Sequence, residues 1–242
     1  MLAPMRFTVE PSPAGGFHVR LAGTAAPLSH HDTEEEAEAR RLAYERGAGE
    51  PARGELVDLP DGSEVLVRPV RTDDKPLFAA GWQHFGEESR YRRFMGYKTA
   101  LTTRELEFFT ELDHVDHEAL GAIDPRSGEG LGVARYMRNP DRPDSAEAAV
   151  AVIDAWQGRG LGGLLLRRLT RRATANGITT FTASLLTGNR GMLRLFERLG
   201  AVRPRGVEAG VMEIDVELPL DDAKTLLRTA ATGHVRSIPA RD

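Results

Sequence analysis

The chain has no cysteine. Disulfides, thiolate nucleophiles and cysteine-ligated metal centres are therefore excluded, and a cytoplasmic location is the expectation that suits this usage. It also lacks any apolar run near the roughly 20 residues that a membrane-crossing helix needs. Its first residues show no basic flank leading into an apolar segment, so neither a membrane partner nor a secretory signal is expected. Nor is positive charge in excess. Lys and Arg number 32 against 36 Asp and Glu, a formal net charge of −4, which argues against nucleic-acid binding driven by global charge. Internal repeats and long low-complexity blocks are missing too. What remains is 242 residues, 40% of them apolar, enough for one large domain or one domain with extensions.

Residues 1–30 are rich in Pro, Gly, Ala and Ser and read as an extended arm. Phe17, Val19 and Leu21 alternate and can form one short strand, whereas His30-His31 looks like loop. Residues 32–46 predict a short helix capped by Asp32 or Thr33, with glutamates at its positive end. GAGEPARG, 47–54, reads as a linker. Order tightens at Glu55, with two strands about the Asp61-Gly62 turn, then helices near 74–85, 87–95 and 102–112. Strands follow at 118–124 and 130–137, a loop at NPDRPDS, and a nearly continuous apolar strand at 146–154, expected to be covered on both faces. The pattern continues with a long helix, a strand at 178–183, a helix at 189–199 and a terminal hairpin. The divisions expected are an arm with a short helix (1–54), a folded domain (55–218) and a polar, mobile tail (219–242) with a short helix at 222–229. The architecture is α/β or α+β, with a mixed sheet.

The stretch with most chemistry is VIDAWQGRGLGGLL, from Val152 to Leu165. Leu161, Leu165, Leu169 and Ala173 fall on one helical face, with Arg167, Arg168, Arg171 and Arg172 mainly outward. No Ser, Thr, Asn or Asp stands at the natural cap. The first four N–H groups of a helix need partners, and Gly158, Gly160 and Gly162 leave them bare where an anion can approach along the helix dipole. Arg159 adds positive charge. The spacing fits neither the dinucleotide fingerprint nor the Gly-Lys-Ser/Thr phosphate loop. Three glycines alone are equally consistent with a tight strand-to-helix turn.

The residues V-x-D-x-W-Q-G-R-G-L-G-x-x-L-L, Val152 to Leu166, resemble the acyl-coenzyme-A motif of the GNAT superfamily of N-acyltransferases, Gln/Arg-x-x-Gly-x-Gly/Ala, through Gln157, Gly160 and Gly162. TGNRGMLRLFERLGA, 187–201, resembles the family's later motif, in which the residue matching Asn189 lies near the cofactor. The resemblance runs from about Val65 to Leu218. It implies a mixed, mostly antiparallel central sheet flanked by helices, and acetyl-CoA as acyl donor. It also implies cofactor contacts from the backbone of Val150, Ala151 and Val152 and from Gln157, Gly158, Arg159, Gly160, Leu161, Gly162 and Asn189. SRYRRF (89–94) and GVARYMRNPDRPDSAEAAV (132–150) are similar to the acyltransferase domain of bacterial protein-lysine acetyltransferases, whose proposed general base matches Glu147.

Acyl transfer to an amine needs that amine neutral, and a carboxylate can take its proton. For Glu147 the competing reading is a solvated charge at a strand start. The acceptor is expected to be a protein with a reactive lysine, or else a small-molecule amine. A non-catalytic coenzyme-A-binding module is the remaining alternative, and a homodimer stays open. Tyr97 and Tyr136 are candidates for proton transfer or for core packing, and the family's tyrosine near Asn189 is replaced by Met192 and Phe196. Asp154 is read as structural. Arg90, Arg92 and Arg93 line the substrate side, meet coenzyme A phosphate, or form a solvated face. His114 and His117 beside Asp113 and Asp116 read as a polar loop rather than a metal site, so no metal is expected.

Overall fold

The computed structural model describes residues 7–21, 29–49, 54–94, 96, 98–219 and 236–237. Tyr97 and the expected helix at 222–229 lie outside the described residues. Two compact units are present: Met1–Ala52 with Asp113–Val115, and Arg53–Leu112 with Asp116–Asp242.

The smaller unit corrects the expectation of an extended arm. β1 (Phe7–Pro11), β2 (Phe17–Leu21) and β3 (Ser29–His31) form an antiparallel sheet in that order, and α1 (Glu34–Gly49) packs with it. Val19, Ala37 and Val115 bury together, and that apolar knot orders a segment whose composition is otherwise turn-rich. His30 and His31 belong to β3, opposite His18 and Phe17. Thr33 and Glu36 form a reciprocal cap: each side chain accepts the other's backbone N–H, both at 3.3 Å. The helix continues through Gly49, so the expected linker begins in helix.

In the larger unit the strands are β4 (Glu55–Asp58), β5 (Glu64–Pro69), β6 (His117–Ile123), β7 (Gly130–Asn139), β8 (Arg142–Val152), β9 (Thr180–Leu186), β10 (Ala201–Glu208), β11 (Val211–Glu217) and β12 (Arg236–Ser237). They form one sheet in the order β10-β11-β9-β8-β7-β6-β5-β4-β12. Every pairing is antiparallel except β8 with β9. β12 pairs with Leu56 and Glu55, so the polar tail returns to the sheet edge. The loop expected at NPDRPDS is shorter than its composition suggests, because β8 begins at Arg142, opposite Asn139.

One face of this sheet carries α5 (Leu161–Ala175) and α6 (Arg190–Glu197). Ala146, Ala148 and Val150 of β8 pack there against Leu161, Leu165, Leu166, Leu169 and Phe196. Each buried leucine of this helix contributes roughly 1.5–3 kcal/mol. Beyond Ser145, which is buried, the residues on the other side of β8 are not closed in: Glu147 is exposed, and Ala149 and Ala151 are half-buried. The strand is therefore covered on one face, not two as expected. Its nearly continuous apolar run includes alanines, which tolerate a partly open face. On the opposite face α2 (Lys75–Gln83) and α4 (Thr103–Thr110) cover β7 and its neighbours. α3 (Glu87–Phe94) follows α2 after a short turn. A two-pronged ion pair, Arg68 Nη1 and Nη2 to Asp74 Oδ2 and Oδ1 at 2.7 and 2.6 Å, fixes the approach to α2.

Two of the four arginines expected to face outward from α5 are instead paired. Arg168 meets Glu55, and Arg172 donates to Glu118 Oε2 at 2.8 Å. Glu118 is fully buried, so removing the Arg172 guanidinium takes a charged partner from a buried carboxylate. Arg172→Leu should cost about 3 kcal/mol, read as a lower urea midpoint. A loss below 0.5 kcal/mol would show that the pair is dispensable. α4 is capped by Thr102, which forms a capping box with Glu105. Lys98, then the Thr102 backbone N–H and hydroxyl, lower the Glu105 pKa from its model-compound value of 4.5 to about 2. Because the folded pKa is depressed, this stabilisation is whole above the unfolded value and is lost as pH falls toward 2. Glu105→Gln should flatten unfolding stability against pH between about 5 and 2, in chemical denaturation at each pH.

Candidate active site

β8 and β9 pair only at Ser145–Thr180, Ala146–Phe181 and Glu147–Thr182. Both strands continue beyond, β8 to Val152 and β9 to Leu186. They part there, and a cleft of about 660 Å³ opens between them. One wall is Glu147 to Val152, the other Ala183, Ser184 and Leu185, with the glycine turn and α6 closing the far side. The volume lies within the range of small-ligand sites.

Parting leaves backbone groups bare. Ile153 N–H bonds to Leu131 O at 3.0 Å, on the β7 side. By strand alternation Ala151 points its backbone groups to β7 as well, and Val150 and Val152 point theirs into the fork. A Cβ on Gly132 would stand 2.9 Å from Ala151 O, consistent with that direction. Thus the three β8 residues expected at the cofactor differ. Val150 offers its backbone to the cleft. Val152 O already accepts from Gln157 Nε2 at 3.0 Å. Ala151 contributes its side chain to the opposite face.

The turn is built by conformation. Gly158 and Gly160 have φ of 76° and 90°, a region that penalises other residues. Gly160 is the N-cap of α5, which has no side-chain cap, so the N–H groups of its first turn are presented beside Gly162 and Gly163 at the cleft wall. Gln157 and Gly158 also line the cleft. Leu161 does not: its side chain is buried in the core. Arg159 also turns away, stacking on Trp156 at 4.8 Å and lying 3.6 Å from Asp61. Asp154 Oδ2 accepts the Gly86 N–H at 3.0 Å, a structural tie between the turn and the segment before α3. Asn189 lines the cleft and caps α6 through its Oδ1, which accepts from Met192 N–H at 3.2 Å.

Positive charge comes from residues that motif reading passed over. Arg190, Arg194 and Arg198 stand at i, i+4 and i+8 along α6 and its end, and all three line the cleft. Among the described residues none of them has an ion pair closer than 4.0 Å. The spacing was a legible signal, since i+4 arginines share a face. Arg167 follows one turn after Gly163, where burial first, then Arg171, Arg168 and Arg198, lower its pKa. Uncompensated arginines around bare helix N–H groups make an anion site, suited to a phosphate-rich ligand. Of the earlier basic cluster, Arg92 lines the cleft while paired to Glu88 at 2.5 Å. Arg90 instead packs over Trp82 at 5.1 Å.

Glu147 sits at the vertex of the fork. Its side chain lies on the face of Ala149 and Ala151, opposite Val150, and is exposed. Tyr136 is fully buried on the α5 side, where its hydroxyl accepts from Asn176 Nδ2 at 2.8 Å, so it is a core residue. His117 packs against Phe108 and Arg135, and no metal-ligand cluster occurs among the described residues.

The model of the Acetyltransferase (GNAT) family matches residues 82–201. Acetyltransferase Pat of Mycolicibacterium smegmatis is 33% identical over 163 residues, covering 67% of this chain and 48% of the relative. The chain thus spans about half that protein's length. An acetyltransferase of Pseudomonas aeruginosa is 30% identical, over 61% of this chain and 80% of its own. The crystal structure of the GNAT domain of S. lividans PAT superposes with a TM-score of 0.63 and 32% identity, covering 68% of this chain and 97% of that one. Fold and cleft define the class of acyl-CoA-dependent N-acetyltransferases, for which acetyl-CoA is the donor. The chain belongs to the GNAT acetyltransferase family.

If the α6 arginines hold the phosphates, Arg194→Ala with Arg198→Ala should weaken coenzyme A binding about tenfold and flatten its salt dependence. Calorimetric titration at two salt concentrations checks this. An unchanged affinity would assign those arginines to the solvated surface.

Proposed function

We propose that this protein transfers the acetyl group of acetyl-CoA to a protein lysine, with Glu147 as general base. The observation that carries the reading is the fork: one strand offers an open backbone edge at Val150 and a carboxylate at the vertex three residues before it. The donor supplies an activated thioester acyl group. Arg190, Arg194 and Arg198 and the bare N–H groups at the start of α5 would hold its phosphates, and Asn189 stands beside them. Val150 N–H is placed to donate to the acyl oxygen as charge develops there.

Glu147 acts from the other face. A lysine amine has a reference pKa of about 10.4, so roughly one in 2,500 is neutral at pH 7. Glu147 accepts a proton from the ammonium, directly or through one water. The amine arriving on that face meets an exposed row across four strands: Met137, Glu147, Thr182 and Asp215 are cross-strand neighbours in register. None of the four is buried, and Ser184 and Glu213 extend the open area. An open, partly acidic face suits a lysine carried on a protein surface better than a closed pocket for a small cation.

Glu147→Gln should lower turnover about 10²-fold or more while leaving acetyl-CoA affinity within twofold. Mass spectrometry of candidate proteins and amines after incubation with acetyl-CoA would read it. Unchanged transfer to every acceptor would remove Glu147 from the chemistry. Transfer confined to free small amines would overturn the protein-lysine reading.

A further inference from the structure

A second cavity lies against the first. It holds about 70 Å³ and is lined by Phe78, Trp82, Leu101, Phe109, Ala119 and Val133, with Arg90 and Arg135 beside them. Three further residues, Phe85, Ser89 and Ala151, line both this cavity and the cleft. The two spaces are therefore neighbours across Ala151, the β8 residue whose side chain points away from the α5 face.

The wall is apolar in character despite its two arginines. Arg135 lays its guanidinium over Phe108 and Phe109, at 4.5 and 4.7 Å to the ring centres. Arg90 lies over Trp82 and donates to that residue's carbonyl at 3.0 Å. Arg135 also meets His117 Nε2, and the buried Nε of Arg90 has no partner among the described residues. The cavity is several times the roughly 10–15 Å³ that one water needs, and apolar cavities of this kind stay dry and accept apolar ligands. Its floor is short because Ala119 and Ala151 are small, and each is paired to β7.

We infer that this cavity receives the tail of an acyl chain longer than acetyl, so that the protein takes unbranched three- and four-carbon acyl thioesters of coenzyme A. The inference rests on the acyl-CoA reading of the cleft. An acetyl methyl at the open edge of β8 ends at Ala151, and one or two more methylenes carry the chain past it. Each methylene so buried should tighten binding about fourfold. A bulky acyl tail is excluded by the narrow wall.

The test is calorimetric binding of coenzyme A and its acetyl, propionyl and butyryl thioesters to the full chain. Wild type should bind propionyl-CoA about fourfold more tightly than acetyl-CoA, with butyryl-CoA at least as tight. Ala119→Leu should bring both down to the acetyl value while coenzyme A itself binds as before. Val133→Ile, a gentler filling, should reduce the gain in the same sense and serves if Ala119→Leu does not fold. Propionyl and butyryl thioesters no tighter than acetyl in wild type would overturn the inference and leave the acetyl-transfer reading standing. A preference that survives both fillings would overturn it equally, since the discrimination would then lie elsewhere. No binding of any thioester or of coenzyme A would overturn the cleft reading and this inference with it.

Discussion

Pairing between two parallel strands stops after three residues, and most of the active-site geometry follows from that stop. Had β8 and β9 stayed paired to their ends, Val150 would spend its backbone on β9 and no cleft would exist between them. Separation is costly unless something else accepts the exposed groups. Gln157 takes one of them, Val152 O. The rest remain at the edge, where a ligand with its own donors and acceptors can pair. On the far side α5 and α6 pack against both arms, so the fork is held open by core leucines and Phe196 as well as by missing hydrogen bonds.

The same divergence sorts the chemistry onto two faces. Side chains of β8 alternate, so the strand that shows Ala146, Ala148 and Val150 to the α5 core shows Glu147, Ala149 and Ala151 to the other side. On the proposed reading the anionic donor and the cationic acceptor are thereby given opposite approaches. The arginines of α6 gather on one, and Glu147, Asp215 and Glu213 lie on the other. A single strand, alternating its side chains with a period of two residues, carries both.

Much of the larger unit was legible because its signals are local. The Asp61-Gly62 turn and the leucine face of α5 each depend on residues within a few positions of one another. The glycine turn declared itself for the same reason. What escaped reading depends on distance in sequence. Arg172 and Glu118, or Arg168 and Glu55, are unrelated until the sheet brings them together, and so half of the apparently solvated arginines proved to be paired. The apolar knot of the smaller unit joins Val19 and Ala37 to Val115, a partner no window over residues 1–54 contains. Arg159 shows the converse case: adjacent to the turn in sequence, it is drawn off by Trp156 and Asp61.

Gln157 has one further property. Its amide nitrogen lies 3.2 Å from Ser89 Oγ, 3.0 Å from Val152 O and 3.1 Å from Asp154 Oδ1, yet an amide nitrogen carries only two hydrogens. Three acceptors thus compete for two protons at the hinge between strand and helix. The arrangement is a selector with no fully satisfied setting. Whichever oxygen is released, the turn trades its grip on α3, on the strand edge, or on its own first residue. A ligand donor that took over Val152 O would leave the amide's two hydrogens to Ser89 and Asp154.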